Sequence, residues 1–170
     1  EACDKINTYA VVYLADACAE IESHLVHIST DFIFDGEDGP YIEEDQANPL
    51  NYYGLSKWKS EQILQKHSCD WVVLRTIVVY GTADNLNKGN IVLWGREAFK
   101  KGESLNVIDD QFRSPTLAED LAQACILVLE KRAKGVYNIS GKDIMSIFEM
   151  VERMADFYGV DKSIINRIST

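Results

Sequence analysis

Two periodicities alternate along the chain. Residues 9–22, YAVVYLADACAEIE, are rich in alanine and place apolar side chains at helical spacing, which predicts a helix. LVHIS, at 25–29, is a short apolar run and predicts a buried strand. A second helix is predicted to begin near Tyr53 and to run to about Lys66. WVVLRTIVVYG, at 71–81, is β-branched at odd and even positions alike, as a strand covered by helices on both faces is. IVLWGREAFKKG then predicts a helix with a basic C-terminal end, SLNVIDD a strand, and GVYNISG, 135–141, a strand closed by glycine. Two capping boxes mark helix starts. Thr116-Leu-Ala-Glu119 would open a helix running to about Arg132. Ser146-Ile-Phe-Glu149 would open another, whose apolar face is traced by Ile147, Met150, Val151, Met154 and Phe157.

Between these elements lie polar stretches. DGEDGPYIEEDQANPL, 35–50, is crowded with Gly, Pro, Asp and Asn and reads as a long loop, of a length that is usually functional or mobile. ADNLNKGN reads as a second polar loop. Strands alternating with helices predict an α/β fold with a parallel sheet, Rossmann-like, and helices on both faces. The order opens on a helix with no strand before it. No internal repeat or domain linker interrupts it.

Composition narrows the function classes. A chain of 170 residues can bury one sizeable core. Its net charge of −10 excludes a general nucleic-acid binder, which needs a basic face. No apolar run reaches the ~20 residues that span a bilayer, so no membrane association is expected. There is no signal-peptide pattern, although EACDK does not look like a natural N-terminus. Cys3, Cys18, Cys69 and Cys125 form no C-x-x-C pair and have no His at metal-ligand spacing. They read as reduced, mostly buried thiols of a cytoplasmic protein, and no metal site is expected. Asn138-Ile139-Ser140 matches a glycosylation sequon but falls in a predicted strand.

The candidate chemistry lies at residues 52–62, YYGLSKWKSEQ. Tyr53 and Lys57, four apart, share one helix face. A cation a few ångströms from a phenol lowers its pKa from near 10, so a Tyr-x-x-x-Lys pair can serve as a proton donor matched to carbonyl reduction. The lysine can also donate hydrogen bonds to a ribose. Just after the strand at 25–29 comes Ser29-Thr30-Asp31, small hydroxyls at the C-terminal end of a parallel strand, where α/β sheets bind ligands. Arg75, mid-strand, reads as the buried partner of a carboxylate.

The string HISTDFIFDGEDGPYIEEDQANPLNYYGLSKWKSEQ resembles the extended short-chain dehydrogenase/reductase family, and within it the dTDP-4-dehydrorhamnose reductases. Their S-T-D-(aromatic)-V-F-D-G and P-Y-x-E-x-D-x-x-x-P-x-N-x-Y-G-x-S-K patterns are matched by Ser29, Thr30, Asp31, Phe32, Phe34, Asp35 and Gly36, and then by Pro40, Tyr41, Glu43, Asp45, Pro49, Asn51, Tyr53, Gly54, Ser56 and Lys57. LRTIVVYG, DDQFRSPTLAEDLA and GVYNISG resemble later segments of the same family. The resemblance implies that Tyr53 protonates the C4 carbonyl of a nucleotide-linked 4-keto-6-deoxy sugar. Lys57 would lower the Tyr53 pKa and bind the nicotinamide ribose of NADPH or NADH, beside Ser29 and Tyr53. Thr30 would hold and polarise the carbonyl, and Asp31, Phe32, Val78 and Arg113 would lie toward the sugar nucleotide. Phe32 and Val78 stand where the family usually has Tyr and Trp, a departure on the sugar side. A homodimer is common in the family.

The family's G-x-x-G-x-x-G loop is absent, and Gly36-x-x-Gly39 is its nearest approach. On this reading residues 1–81 form the C-terminal half of a Rossmann domain with the catalytic motif, and residues 82–170 mix Rossmann and substrate-binding segments. The dinucleotide-binding half and the C-terminal tail of the family would lie outside the chain. The run at 9–18 also looks short beside the family's helix pattern, which suggests missing residues near Ala10–Val11. Two alternatives share the resemblance: another sugar-nucleotide epimerase or reductase, and a non-catalytic regulatory module like the methionine adenosyltransferase β subunit. The latter also carries an R-x-P-T element like Arg113-Ser-Pro115-Thr116.

Overall fold

The computed structural model describes residues 2–82 and 89–170. Most of the predicted loop ADNLNKGN therefore lies outside the described residues. In chain order the elements are α1 (Ala2–Asp4), a π turn (Lys5–Tyr9), α2 (Ala10–Glu20), β1 (His24–Thr30), a 3-10 turn (Asp31–Ile33), α3 (Tyr52–Lys66), β2 (Asp70–Thr76) and β3 (Val79–Tyr80). There follow α4 (Ile91–Lys101), β4 (Leu105–Ile108), β5 (Phe112–Arg113), β6 (Thr116–Leu117), α5 (Ala118–Glu130), β7 (Gly135–Ile139), β8 (Met145–Ser146), α6 (Ile147–Tyr158) and β9 (Ile165–Ile168). They form two compact units, one of residues up to Thr76 with Leu121–Ile139, the other of Ile77–Asp120 with Ser140–Thr170.

The first unit is the α/β layer structure the sequence predicts. Its sheet is parallel, in the order β1-β2-β7. Residues at alternate positions face opposite sides of a strand. Leu25, Trp71, Val73 and Val136 pack on one face against Val11 and Ala15 of α2 and Leu64 of α3. Val26, Val72, Leu74 and Ile139 pack on the other against Ala124, Cys125 and Val128 of α5. The two covered faces explain why β2 reads as unbroken apolar sequence.

The second unit gathers Phe148, Val151, Met154 and Ala155 of α6 against Ala98 and Phe99 of α4. Leu105 and Val107 of β4 and Ile165 of β9 complete this core. β4 and β9 pair in parallel. The Ser146–Glu149 capping box forms in both directions.

Several local expectations are corrected. The helix predicted at 9–22 begins at Ala2, and its backbone stays helical through Ala10 and Val11. The Ala10 amide reaches back five residues to Lys5 O, so the altered spacing is absorbed as a π turn and no gap interrupts the helix. The strand predicted at 71–81 stops at Thr76. Val78 stands in the left-handed region (φ 41°), which a β-branched residue avoids, and that turn detaches β3 to pair with β6. The helix expected after the first capping box forms as α5 but starts at Ala118. The Thr116 hydroxyl donates to Ile77 O (2.8 Å) and its amide to Val78 O (3.2 Å), which holds Thr116–Leu117 as a strand. Phe157 is exposed, because the apolar stripe of α6 runs out before its last turn; its ring meets Tyr158 edge-on. All four cysteines are free thiols, but only Cys69 is buried.

Candidate active site

The site is built where β1 ends and α3 begins. Thr30 closes β1 and is buried. Its hydroxyl donates to Asp31 Oδ1 (3.1 Å) and accepts from the Phe32 amide (3.2 Å), turning the chain into the short 3-10 segment. α3 starts at Asn51, whose side chain accepts from Gly54 N (2.8 Å) as an N-cap. Gly54 has no substitute here. A Cβ would lie 2.8 Å from the Phe32 carbonyl carbon and 3.2 Å from Pro49 Cβ, overlapping the Phe32 oxygen. This backbone-on-backbone packing brings Tyr53 beside Phe32, ring edge to ring face at 6.0 Å, with both side chains about half exposed.

One turn further, Lys57 Nζ donates to Ile28 O (2.6 Å) and lies 3.3 Å from His27 Nε2. Partial burial holds the Lys57 ammonium below its ordinary pKa, against the pull of the Glu61 carboxylate. Burial and the neighbouring Lys57 charge push His27 down to about 3, so its imidazole is neutral. His27 Nε2 also lies 2.9 Å from Ser60 Oγ, and Ser60 donates to Lys57 O (2.6 Å). Ser56, the serine of Y-G-x-S-K, donates to Tyr53 O and accepts from Asn7 of the π turn, while Thr8 donates to Ser56 O. α3 is thus locked to the π turn.

A polar row crosses the sheet at its C-terminal end, because Ser29, Arg75 and Asn138 are register partners. Glu61, fully buried, accepts from Ser29 and from Arg75 Nε and Nη2. The carboxylate partner expected for Arg75 is therefore Glu61. Ser29, expected beside the cofactor, turns its hydroxyl inward to that carboxylate. The row also ties down the loop at 35–50. Arg75 Nη1 donates to Glu43 O (3.0 Å), and Asn138 donates from its amide to Glu43 Oε1 (2.7 Å) and from its side chain to Tyr41 O (3.2 Å). Within the loop, Asp35 accepts from Tyr41, Asn48 and the Glu37 amide, which pulls its carboxyl down to about 2. Phe34 stacks on Tyr41 at 4.3 Å, and the Arg75 guanidinium lies over Phe34 at 5.4 Å. The loop is long but pinned.

The first unit therefore gathers Thr30, Asp31, Phe32, Tyr53 and Lys57 around one helix start. Val78 and Arg113 belong to the second unit, where Arg113 donates to Phe112 O (2.7 Å) and Gln111 Oε1 (3.3 Å). That unit also holds an open groove of about 630 Å³ lined by Asn90, Trp94, Asn106, Ile108 and Ile147. Among the described residues no group of three His, Cys, Asp or Glu could hold a metal ion, and no helix is long and apolar enough to cross a membrane. His27, Ser60 and Glu61 were not anticipated. Their signal was available, because His27 shares a strand face with Ser29, and Ser60 and Glu61 stand three and four residues after Lys57.

The RmlD substrate binding domain model matches residues 1–170. The chain belongs to that family. It is 33% identical to methionine adenosyltransferase 2 subunit beta of Bos taurus over 99% of its own length and 52% of that protein's. To the spore coat polysaccharide biosynthesis protein SpsK of Bacillus subtilis it is 32% identical, over 95% and 56%. Among solved structures it superposes on a dTDP-4-dehydrorhamnose reductase of Bacillus anthracis in complex with NADP (TM-score 0.88, 28% identity, 97% of this chain and 57% of that one). A reductase ortholog from Clostridium acetobutylicum gives a TM-score of 0.89 at 28% identity, over 98% and 58%. The chain spans little more than half the length of these relatives.

Proposed function

We propose that the protein to which this chain belongs is an NAD(P)H-dependent reductase of a nucleotide-linked 4-keto-6-deoxy sugar, of the dTDP-4-dehydrorhamnose reductase type. What carries the reading is the packing of Gly54 on the Phe32 carbonyl, which sets the half-exposed Tyr53 phenol beside the Thr30 turn and one helical turn before Lys57. Tyr53 is the proton donor to the C4 carbonyl oxygen. Thr30 holds and polarises that oxygen, and Asp31 and Phe32 border the sugar. The family resemblance also assigns Val78 and Arg113 toward the substrate, and the Arg113 guanidinium suits a pyrophosphate.

The residues present fit one end of a dinucleotide. Lys57 spends a donor on Ile28 O and can turn another to a ribose hydroxyl, beside Tyr53. The 170 residues contain no G-x-x-G-x-x-G, so a glycine loop of this stretch does not hold the pyrophosphate. Bound NADPH or NADH supplies the hydride. The solved Bacillus anthracis reductase in complex with NADP supports this assignment. The test is oxidation of NADPH by the full-length protein with dTDP-4-dehydrorhamnose. Tyr53→Phe lowers turnover by about 10²-fold or more, as loss of a general acid does. Activity within a factor of about three of wild type would remove Tyr53 from the role.

A second reading is favoured by the relatives named methionine adenosyltransferase 2 subunit beta. On that reading the protein is a regulatory subunit. Stoichiometric capture of a catalytic partner, with no turnover of any keto sugar, distinguishes it.

A further inference from the structure

Lys57 is held from behind by a residue that no part of the reductase reading uses. His27 lies on the face of β1 that carries Leu25 and Ser29, turned toward α3. Its Nε2 is 3.3 Å from Lys57 Nζ and 2.9 Å from Ser60 Oγ. Ser60 has one hydroxyl proton, and Lys57 O takes it at 2.6 Å. The imidazole must then choose. With the proton on Nε2 it donates to Ser60 and turns an N–H toward an ammonium. With the proton on Nδ1, Nε2 offers its lone pair to that ammonium. The charge on Lys57 favours the second arrangement, in which the Ser60 hydroxyl proton is shared between Lys57 O and Nε2.

We propose that His27 is a positioning residue, a neutral imidazole in the Nδ1–H tautomer whose Nε2 accepts from Lys57. Together with Ile28 O it fixes the ammonium so that the third N–H points to the site. This deepens the reductase reading and rests on it for the use made of that third donor, but the contact itself is independent of turnover. The charged and titratable groups facing the pair are Lys57 and Glu61 of α3, with Arg75 of β2 beyond Glu61. A protonated His27 would repel the lysine it holds. Burial and the Lys57 charge, which keep the imidazole neutral, are what make it usable as an acceptor.

The test is a titration of the full-length protein labelled with ¹³C at lysine Cε, with the Lys57 signal assigned by its loss in Lys57→Arg. A buried acceptor favours the charged ammonium. His27→Phe therefore lowers the Lys57 pKa by about one unit or more, and His27→Gln, which restores an acceptor, recovers most of the shift. Equal titration of Lys57 in wild type and both variants overturns the proposal. Should His27→Phe fail to fold, long-range ¹H–¹⁵N correlation of the wild-type imidazole decides alone: Nδ1–H supports the proposal and Nε2–H overturns it. None of these readouts needs a substrate. Loss of the reductase reading, shown by an active Tyr53→Phe, is thereby separate from loss of this one.

Discussion

Gly54→Ala offers the sharpest test of the site's construction. In a helix this exchange normally stabilises, by about 0.5–1 kcal/mol, because alanine loses less backbone entropy. Here the new methyl would sit 2.8 Å from the Phe32 carbonyl carbon and overlap its oxygen. Carbon–carbon contact is comfortable at about 3.5–4.0 Å, so α3 or the Thr30–Phe32 turn has to move by about 1 Å. Backbone atoms cannot rotate away as a side chain can, and overpacking of this kind costs about 1–3 kcal/mol. The net expectation is a loss of about 1–2 kcal/mol, read as a lower urea midpoint at unchanged slope. A shift of about 1 Å between Tyr53 and Thr30 also costs about 10²-fold in keto-sugar reduction. Gly95→Ala is the internal control. It too lies within a helix, but its methyl would meet Met154 Cε at 2.5 Å, the free end of a flexible side chain. That variant should be neutral or slightly stabilised. The reasoning fails if Gly54→Ala is as stable as wild type and turns over within threefold of it.

Two further outcomes follow from buried charge. His27 is depressed to about 3 from 6.5, so between those values the unfolded chain binds a proton that the folded one does not. The stability it contributes is present above pH 6.5 and drains away as pH falls, by about 2 kcal/mol at pH 5. Urea midpoints at pH 7 and pH 5 should therefore differ less in His27→Asn than in wild type, and identical differences would contradict the assignment. Glu61→Gln leaves the buried Arg75 without its carboxylate and should cost about 3–5 kcal/mol in the same assay, whereas a loss under about 1 kcal/mol would mean the pair is not the anchor it resembles.

The elements that frame the site were legible because their cause is local. β1 and β2 announce themselves as apolar runs, and α3 begins within a residue of the Tyr53 start expected for it. What escaped was decided by neighbours distant in sequence. Thr116 has the residues of a capping box, but its amide is taken by Val78 O, so the Glu119 side chain has no amide to close the box on. Nothing in IVVYG marks the positive φ of Val78, since its side chain argues against that backbone. Arg75 could be read as half of an ion pair because a mid-strand guanidinium needs one. Glu61 was not named, because only its place four residues after Lys57 sets it apart from any other helix glutamate. Tyr53 and Lys57 were found by their motif. The grip on Lys57 from β1 was not, because it depends on which strand face meets α3.

The loop at 35–50 has a consequence for kinetics. Its ties end on Arg75 and Asn138, two residues of the central sheet, and one of these is half of the buried ion pair. A surface loop with such moorings does not open by itself. To release Glu43 it has to disturb the row that also holds Ser29 and α3, so its opening belongs to the same cooperative event as unfolding of the sheet. Resistance to a protease that cuts at Glu43 or Glu44 would then report the global stability of the first unit, although the cut lies in a segment with no helix or strand.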